Sequence, residues 1–589
     1  MSNKVNSHAV LSNRLAVSIS GSGGSGALTT GQILLNAFGL AGFYGVMNRS
    51  SGPQIRGGES AVMLSLSDQP LELLPDVFQV HFALDWRNFE RFADEIPLNQ
   101  NSWVFFDNSR EKPPGLVEKS GAKVLGLNLS ATLKDLPDGR ANMLALGILA
   151  AWVGLDIAVC EQALRKTLGK KGDAVLSSSL AALQAGQALL LAKLPSQNVL
   201  ANWQAQPASK WLMSGNEAVG LGALQGGVRF AAAYPITPAT EIVEYLAPRI
   251  EKLGGHLLIA EDELAAINMV IGASFGGVPA MTSTSGPGFS LMTEAMGLAI
   301  ASETPVLVVN VMRGGPSTGI PTKSEQTDLN QILYGFHGEA PHVVLAPISI
   351  ADCAPCAFWA TGLAEALQTL VVLISDQRIG QSKAILEPLT FSDQPLKRQT
   401  LAQGELSDYQ RYALTESSIS PMSEPGLMEG IYTADGLEHN PSGLPSSQAL
   451  DHQQQLHKRA AKLNQFDYGE HWAWSKAYAV PNSARQICLV TWGSSTAVCQ
   501  EAALQMQTAR VSVQVLALRL LMPLQVAEIQ TICKNQEVWV VEQSASGQFI
   551  HYLWSQQAIP ATAQSIAQAG PLMISVRQIL DAILGENHE

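Results

Sequence analysis

Three stretches of this 589-residue chain alternate short apolar strands with glycine turns and helices, and this alternation limits the fold more than any other feature. Residues 14–20, RLAVSIS, predict a strand. The run GSGGSGALTTGQILLNAFGLAG then supplies a glycine turn and an apolar helix, which makes a βα unit. AVMLSLS, DVFQVHFA, SWVFFD and AKVLGLNL predict further strands, and residues 141–167 a helix, so 1–195 reads as one α/β domain. The polar stretch KLPSQNVLANWQAQPASK places a linker at 196–211. A second α/β domain, 212–385, opens with the small-residue helix MSGNEAVGLGALQGG. Its strands HLLIA, PAMTST, PVLVVNV, HVVLAP and TLVVLIS are nearly unbroken apolar runs, as in a parallel sheet covered on both faces. Residues 386–470, rich in Gln, Ser, Pro and Asp, predict an extended connecting arm with short helical pieces such as QALDHQQQLHKRAAKL. A last α/β domain, 471–589, runs from QICLVTWGSS through VSVQVLALRLLMP and EVWVVEQSASGQF. The fold class is therefore multidomain α/β.

Hydrophobic residues make up 46% and charged residues 15%, which supports several sizeable cores and predicts much surface hidden between domains or against another subunit. With 37 Lys plus Arg against 50 Asp plus Glu, the net charge is -13, and no basic block exists to track phosphates. Nucleic acid is a poor partner for such a chain. The cysteines at 160, 353, 356, 488, 499 and 533 suit a reducing compartment, and no second close pair completes a metal set beside Cys353 and Cys356. The start of the chain lacks a basic segment followed by an apolar signal core. The apolar run near 144–155 is about 12 residues, too short to span a bilayer. A soluble, cytoplasmic protein without a membrane span is expected.

Several loops carry residues suited to chemistry. The cluster containing Gly24 and Gly26 could cradle an anion at a helix start, or simply make a tight turn. It lacks the spaced dinucleotide fingerprint and the acid that follows it. Arg56, before Gly57 and Gly58, could hold a carboxylate or phosphate, or fix a salt bridge. YPITP, 234–238, fixes the Thr237 hydroxyl between prolines, although PATEI would also start a helix. Glu263 in EDELAAINMVIGAS is expected at a partly buried helix start, where a carboxyl can hold or pass a proton; a surface acid is the plainer reading. Ser285, Gly286, Pro287 and Gly288 form a rigid loop after a predicted strand, where ligands sit in open sheets. Arg313 and Lys323 follow the next strand among glycines and hydroxyls, a setting for an oxyanion or dicarboxylate. Cys353 and Cys356 have the spacing of a redox pair but apolar, helical surroundings, which favours buried thiols.

Taken together, YPITP, EDELAA, TSTSGPG and RGGPSTGIPT resemble the 2-oxoacid:ferredoxin oxidoreductase family, in particular its 2-oxoglutarate alpha subunits fused behind a gamma domain. GGSG and GPQIRGGES resemble the gamma domain, and TADGLEHNPSG, HKRAAKL and VVEQSASGQ occur in the expected order, so the resemblance covers nearly the whole chain. It implies coenzyme A-dependent oxidative decarboxylation of 2-oxoglutarate to succinyl-CoA, carbon dioxide and reduced ferredoxin, with thiamine diphosphate as cofactor. It implies that 212–385 binds the aminopyrimidine, that Glu263 hydrogen-bonds that ring and promotes ylid formation, and that Thr237 and Arg313 face the substrate. Tyr234, Pro235 and 285–288 would line the cofactor pocket, and Gly24, Gly26 and Arg56 the gamma-region site. No GDG with a downstream Asn and no four-cysteine set is present. The resemblance therefore places Mg²⁺ and a 4Fe–4S cluster in a separate beta subunit, within a (gamma-alpha)2 beta2 assembly, and implies an active site shared across the subunit boundary. No metal-binding residue is expected in this chain. The last domain resembles the transketolase C-terminal-like domain. Ser544 stands where the family often has Asn, and Ser25 where Gln is frequent. The same chemistry on pyruvate or another 2-oxoacid, a non-catalytic assembly subunit, and a nicotinamide-dependent dehydrogenase are the alternatives.

Overall fold

The computed structural model describes residues 13–52, 58–91, 93–206, 208–320, 323–391, 394–401 and 409–585. The chain divides into two compact units, Met1–Met213 with Ser382–Pro388, and Ser214–Gln381 with Leu389–Glu589.

The first unit is built on an eight-stranded mixed sheet. Its order is Lys123–Leu127, Trp103–Asp107, Val80–Ala83, Arg14–Ser22, Glu59–Ser67, Tyr44–Ser51, Lys383–Leu386 and Trp211–Ser214. Arg14–Ser22 pairs antiparallel with Glu59–Ser67 and parallel with Val80–Ala83. Two of these strands depart from the sequence expectation. Tyr44–Ser51 is an antiparallel strand where none was expected, and Lys383–Leu386, read as the end of the second domain, pairs with Tyr44–Ser51 here. A hydrogen-bonded knot of Tyr44, Lys210 and Glu387, with the Lys210 ammonium 3.9 Å from the Tyr44 ring centroid, fastens this late return of the chain.

The helix expected over 141–167 is two helices, Ala141–Val153 and Ile157–Leu168. Gly154 turns left-handed (φ 82°), and Asp156 caps the second helix by accepting from the Ala158 N–H at 2.9 Å. Asp173–Leu191 is, among the described residues, the one helix long and apolar enough to cross a membrane by length and composition. It packs instead on Ala141–Val153. A Cβ at Gly147 would lie 1.9 Å from the Leu183 carbonyl, and one at Gly186 2.2 Å from the Leu144 carbonyl, so only glycine permits this backbone approach.

The second unit holds two sheets over one continuous core. The seven-stranded sheet runs Leu520–Met522, Val343–Leu345, Leu370–Asp376, Val306–Met312, Ala280–Thr284, Phe230–Ala233 and His256–Ile259. The last six are parallel, as their unbroken apolar runs predict. Leu520–Met522 comes from the C-terminal part of the chain and joins antiparallel beside Val343–Leu345. The five-stranded sheet runs Ala473–Tyr478, Ser512–Leu518, Gln486–Trp492, Glu537–Glu542 and Gln564–Ala567.

The connecting arm carries a complete 16-residue helix, Ala449–Asn464, held by buried charge. Glu303 is 0% exposed, and its two carboxylate oxygens accept from Lys458 Nζ (2.5 Å) and Lys462 Nζ (2.9 Å), while its backbone carbonyl accepts from Arg411 Nη2 at 2.8 Å. Arg398 forms a two-pronged pair with Glu365 (2.5 and 2.7 Å) and donates to the Ser274 carbonyl at 2.6 Å. The arm is thus anchored through ions the sequence presents as an ordinary polar helix face.

Candidate active site at the strand ends of the second unit

Four neighbouring parallel strands, Val306–Met312, Ala280–Thr284, Phe230–Ala233 and His256–Ile259, deliver their following loops to one rim of the sheet. Open parallel sheets bind ligands at such carboxyl ends. Every sequence-singled residue between 234 and 313 stands on one of these loops or at the start of the helix that follows.

The helix Glu263–Phe275 begins after Asp262, whose side chain caps it by accepting from the Ala265 N–H at 2.7 Å. The cap takes the surface role and leaves Glu263 inward, 6% exposed, with no side-chain hydrogen bond or ion pair among the described residues. The helix Gly286–Ala301 follows Ser285 with a proline in its first turn. A Cβ at Gly288 would lie 2.2 Å from Thr284 Oγ1 and 2.5 Å from Glu263 Oε1. The absent side chain is what lets the Glu263 carboxylate rest against this helix start. Ser285 is 0% exposed and its hydroxyl has no partner among the described residues. A buried hydroxyl and a buried carboxylate, both unengaged, fit a polar ligand that would satisfy them.

The YPITP loop is positioned from two sides. Asn216, fully buried, donates to the Pro238 carbonyl (2.7 Å) and to Glu241 (2.8 Å). Arg313, 9% exposed, donates through Nη1 to the Thr237 carbonyl at 2.7 Å, and its Nε has no partner among the described residues. Burial pushes the Arg313 pKa below its ordinary value, against the pull of Asp328. The Thr237–Pro238 peptide is cis. Tyr234 and Pro235 stand exposed at the head of the loop, Tyr234 at 42%.

A cavity of about 620 Å³ opens between the Gly286 helix start and the loop after Arg313, lined by Gly286, Pro287, Arg313, Glu325, Asp328 and Gln331 among others. Asp328, Glu325 and Asn310 were not singled out by the sequence. The two acids in SEQTDL, 324–329, a few residues past Arg313, are the signal that could have pointed to Glu325 and Asp328. The loop is tied to the C-terminal sheet through Gln326, which donates to the Trp492 carbonyl at 3.1 Å and accepts from the Gln543 N–H at 2.8 Å. Lys323 contributes its carbonyl, bonded to the Gly314 N–H at 3.0 Å.

Tyr234, Pro235, Thr237, Glu263, 285–288 and Arg313 therefore share one rim. Gly24 and Gly26 belong to the first unit, both left-handed at φ 92° before the helix Ala27–Leu40. Gly26 is packed against Asn142, whose amide donates to its carbonyl at 3.4 Å, while a Cβ at Gly24 would meet nothing within 4 Å. Arg56 lies outside the described residues. Cys353 and Cys356 are buried in the helix Cys353–Leu367, and burial raises the Cys356 pKa.

Residues 16–189 match the family described as pyruvate ferredoxin/flavodoxin oxidoreductase, and residues 221–458 match its thiamine diphosphate-binding family, pyruvate flavodoxin/ferredoxin oxidoreductase. The chain is 30% identical over 546 residues to the 2-oxoacid:ferredoxin oxidoreductase subunit alpha of a Sulfolobus species, covering 83% of this chain and 84% of that protein. It is 35% identical over 342 residues to the 2-oxoglutarate synthase subunit KorA of Archaeoglobus fulgidus, covering 58% of this chain and 89% of that one. The solved 2-oxoglutarate:ferredoxin oxidoreductase from Magnetococcus marinus, with 2-oxoglutarate, coenzyme A and succinyl-CoA bound, superposes with a TM-score of 0.89 at 32% identity, over 97% of this chain and 99% of that chain. A thiamine-type family match over the very strand ends that gather Glu263, the bare Gly288 and Arg313 leaves one assignment: this chain belongs to the 2-oxoacid:ferredoxin oxidoreductase family of enzymes, among its alpha subunits.

Proposed function

We propose that this chain, with its gamma-type region fused in front, is the alpha subunit of a 2-oxoglutarate:ferredoxin oxidoreductase. It converts 2-oxoglutarate and coenzyme A to succinyl-CoA and carbon dioxide and passes the electrons to ferredoxin. The observation that carries this reading is the unengaged, buried Glu263 carboxylate lodged against Gly288, on the same rim as Arg313. Glu263 and Ser285 would hold the aminopyrimidine side of thiamine diphosphate, with Tyr234, Pro235 and 286–288 around it. When bound, that cofactor supplies the electron sink for breaking the bond between carboxylate and carbonyl carbon. Glu263 holds and moves the proton at the ring, because a carboxylate shielded from water and free of competing donors keeps its oxygens for that purpose. Arg313 orients the substrate carboxylate with its guanidinium, which is already steadied by the Thr237 carbonyl. Thr237 shapes the approach to the carbonyl.

Gly24, Gly26 and Arg56 are assigned to coenzyme A, consistent with left-handed glycines ahead of a helix start. Mg²⁺ and a 4Fe–4S cluster are assigned to a beta subunit that completes the site, in a cytoplasmic (gamma-alpha)2 beta2 assembly. The test is reconstitution with that beta subunit and comparison of Glu263→Gln with wild type on 2-oxoglutarate and pyruvate. Turnover in the variant is expected to fall roughly 100-fold or more with assembly intact, and wild type to prefer 2-oxoglutarate. Near-normal turnover of the variant refutes the role of Glu263, and a preference for pyruvate refutes the substrate.

A further inference from the structure

The cavity beside Arg313 presents an electrostatic conflict. It is read above as the site for an anionic 2-oxoacid, yet among the described residues lining it are one cation, Arg313, and two acids, Glu325 and Asp328. With both acids ionised the lining is net negative and repels the substrate it is meant to hold.

The two acids are not alike. Glu325 Oε1 accepts from the Gly570 N–H at 2.9 Å and Oε2 from the Thr327 hydroxyl at 3.2 Å, so both of its oxygens are engaged as acceptors. Asp328 accepts at one oxygen only, from Asn310 Nδ2 at 2.9 Å. Its carboxylate presses on the start of the helix Gly286–Ala301, where a Cβ at Gly286 would lie 2.8 Å from Oδ2 and 2.9 Å from Oδ1. Burial raises the Asp328 pKa, Glu325 adds to the rise, and Arg313 and the Asn310 bond oppose it. Glu325 and Arg313 are the charged groups that act on it; its other neighbours in the cavity wall, Ser290 on the adjoining helix and Gln331 on its own, are neutral.

We propose that Asp328 is a positioning residue that accepts one proton from solvent when an anionic 2-oxoacid enters the cavity, so that Arg313 meets the substrate carboxylate undiminished and the acid presents an O–H to the bound anion. This rests on the reading of Arg313 as the carboxylate holder. Substrate affinity then falls as pH rises, by up to tenfold per unit above the Asp328 pKa, with the slope carried by KM rather than by kcat.

The test uses the chain assembled with its beta subunit. Binding of the unreactive dicarboxylate N-oxalylglycine is measured by calorimetry near pH 7.5 in phosphate and in Tris, whose ionisation enthalpies differ, and KM for 2-oxoglutarate is followed over roughly pH 6 to 9. Wild type is expected to take up a substantial fraction of one proton per site and to show a rising KM. Asp328→Asn, which keeps the shape and remains neutral, is expected to take up none and to lose the pH slope. Asp328→Glu is expected to keep both. Proton uptake in Asp328→Asn equal to wild type, or no uptake in wild type, overturns the proposal. Arg313→Gln separates this from the parent reading: if that variant leaves KM unchanged, Arg313 is not the carboxylate holder, whereas a raised KM in Arg313→Gln together with pH-linked binding in Asp328→Asn defeats only the role of Asp328.

Discussion

Replacing Glu303 by glutamine would remove the negative charge from a site that holds two buried ammonium groups and lies close to the Arg411 guanidinium. Glu303, Lys458 and Lys462 are all buried, and both lysines bond the same carboxylate. Removing one partner of a buried ion pair costs about 3–5 kcal/mol, because the remaining charge keeps its desolvation penalty without its counter-charge. The lysines can relieve part of this by shedding protons. Burial already holds Lys462 down at about 8, so the loss is expected near the lower end, about 3 kcal/mol. At about 1–2 °C per kcal/mol for a unit of this size that lowers the melting midpoint by roughly 3–6 °C. The pH window follows from the two shifts. The cations hold Glu303 well below the usual carboxylate range, so its contribution is present above about pH 4.5 and lost only as pH falls through the depressed value. At the other end the attraction fades as Lys462 deprotonates above about 8. The difference between variant and wild type should therefore be largest from about pH 5 to 8 and shrink near pH 9.5. Melting of the full chain followed by circular dichroism, with and without about 0.5 M NaCl, measures it. Salt should leave the difference in place, since screening acts on exposed charges. A midpoint within about 2 °C of wild type at pH 7, or a difference equally large at pH 9.5, would refute the argument.

Gly288→Ala should push the Glu263 carboxylate aside, since the added Cβ falls 2.5 Å from Oε1. Turnover of the reconstituted enzyme is expected to drop on the order of 100-fold, with a stability loss of about 1–3 kcal/mol in the same melt. The six cysteines are all buried, with Cys160 and Cys499 pushed up to about 12 by burial. Ellman's reagent at pH 8 should therefore find none of them within minutes in the native chain and all six after denaturation.

The sequence made the parallel strands of the second unit legible because they are buried on both faces and read as unbroken apolar runs. It made the loops of the site legible because proline, glycine and hydroxyl residues cluster there. What it hid has physical causes. Tyr44–Ser51 carries Asn48, Arg49 and two serines, so its apolar alternation is too weak to show a strand, and its pairing with Lys383–Leu386 joins segments more than 330 residues apart. The break at Gly154 sits inside a long apolar stretch that periodicity alone cannot divide. Lys458 and Lys462 look like a solvated helix face until Glu303, 155 and 159 residues away, is seen to meet them. Asp328 was passed over for Arg313 because its significance lies in what surrounds it, a buried wall and a single amide donor, and none of that is local in the sequence.

Leu520–Met522 is borrowed by a sheet that otherwise belongs to residues some two hundred positions earlier. A truncation ending before the five-stranded sheet would strip that strand away and leave Val343–Leu345 with its outer row of N–H and C=O groups bare. Bare rows of that kind recruit other chains and drive aggregation. The last hundred or so residues therefore act as a built-in solubility guard, and any attempt to express the thiamine-type half alone must carry a substitute for those three residues.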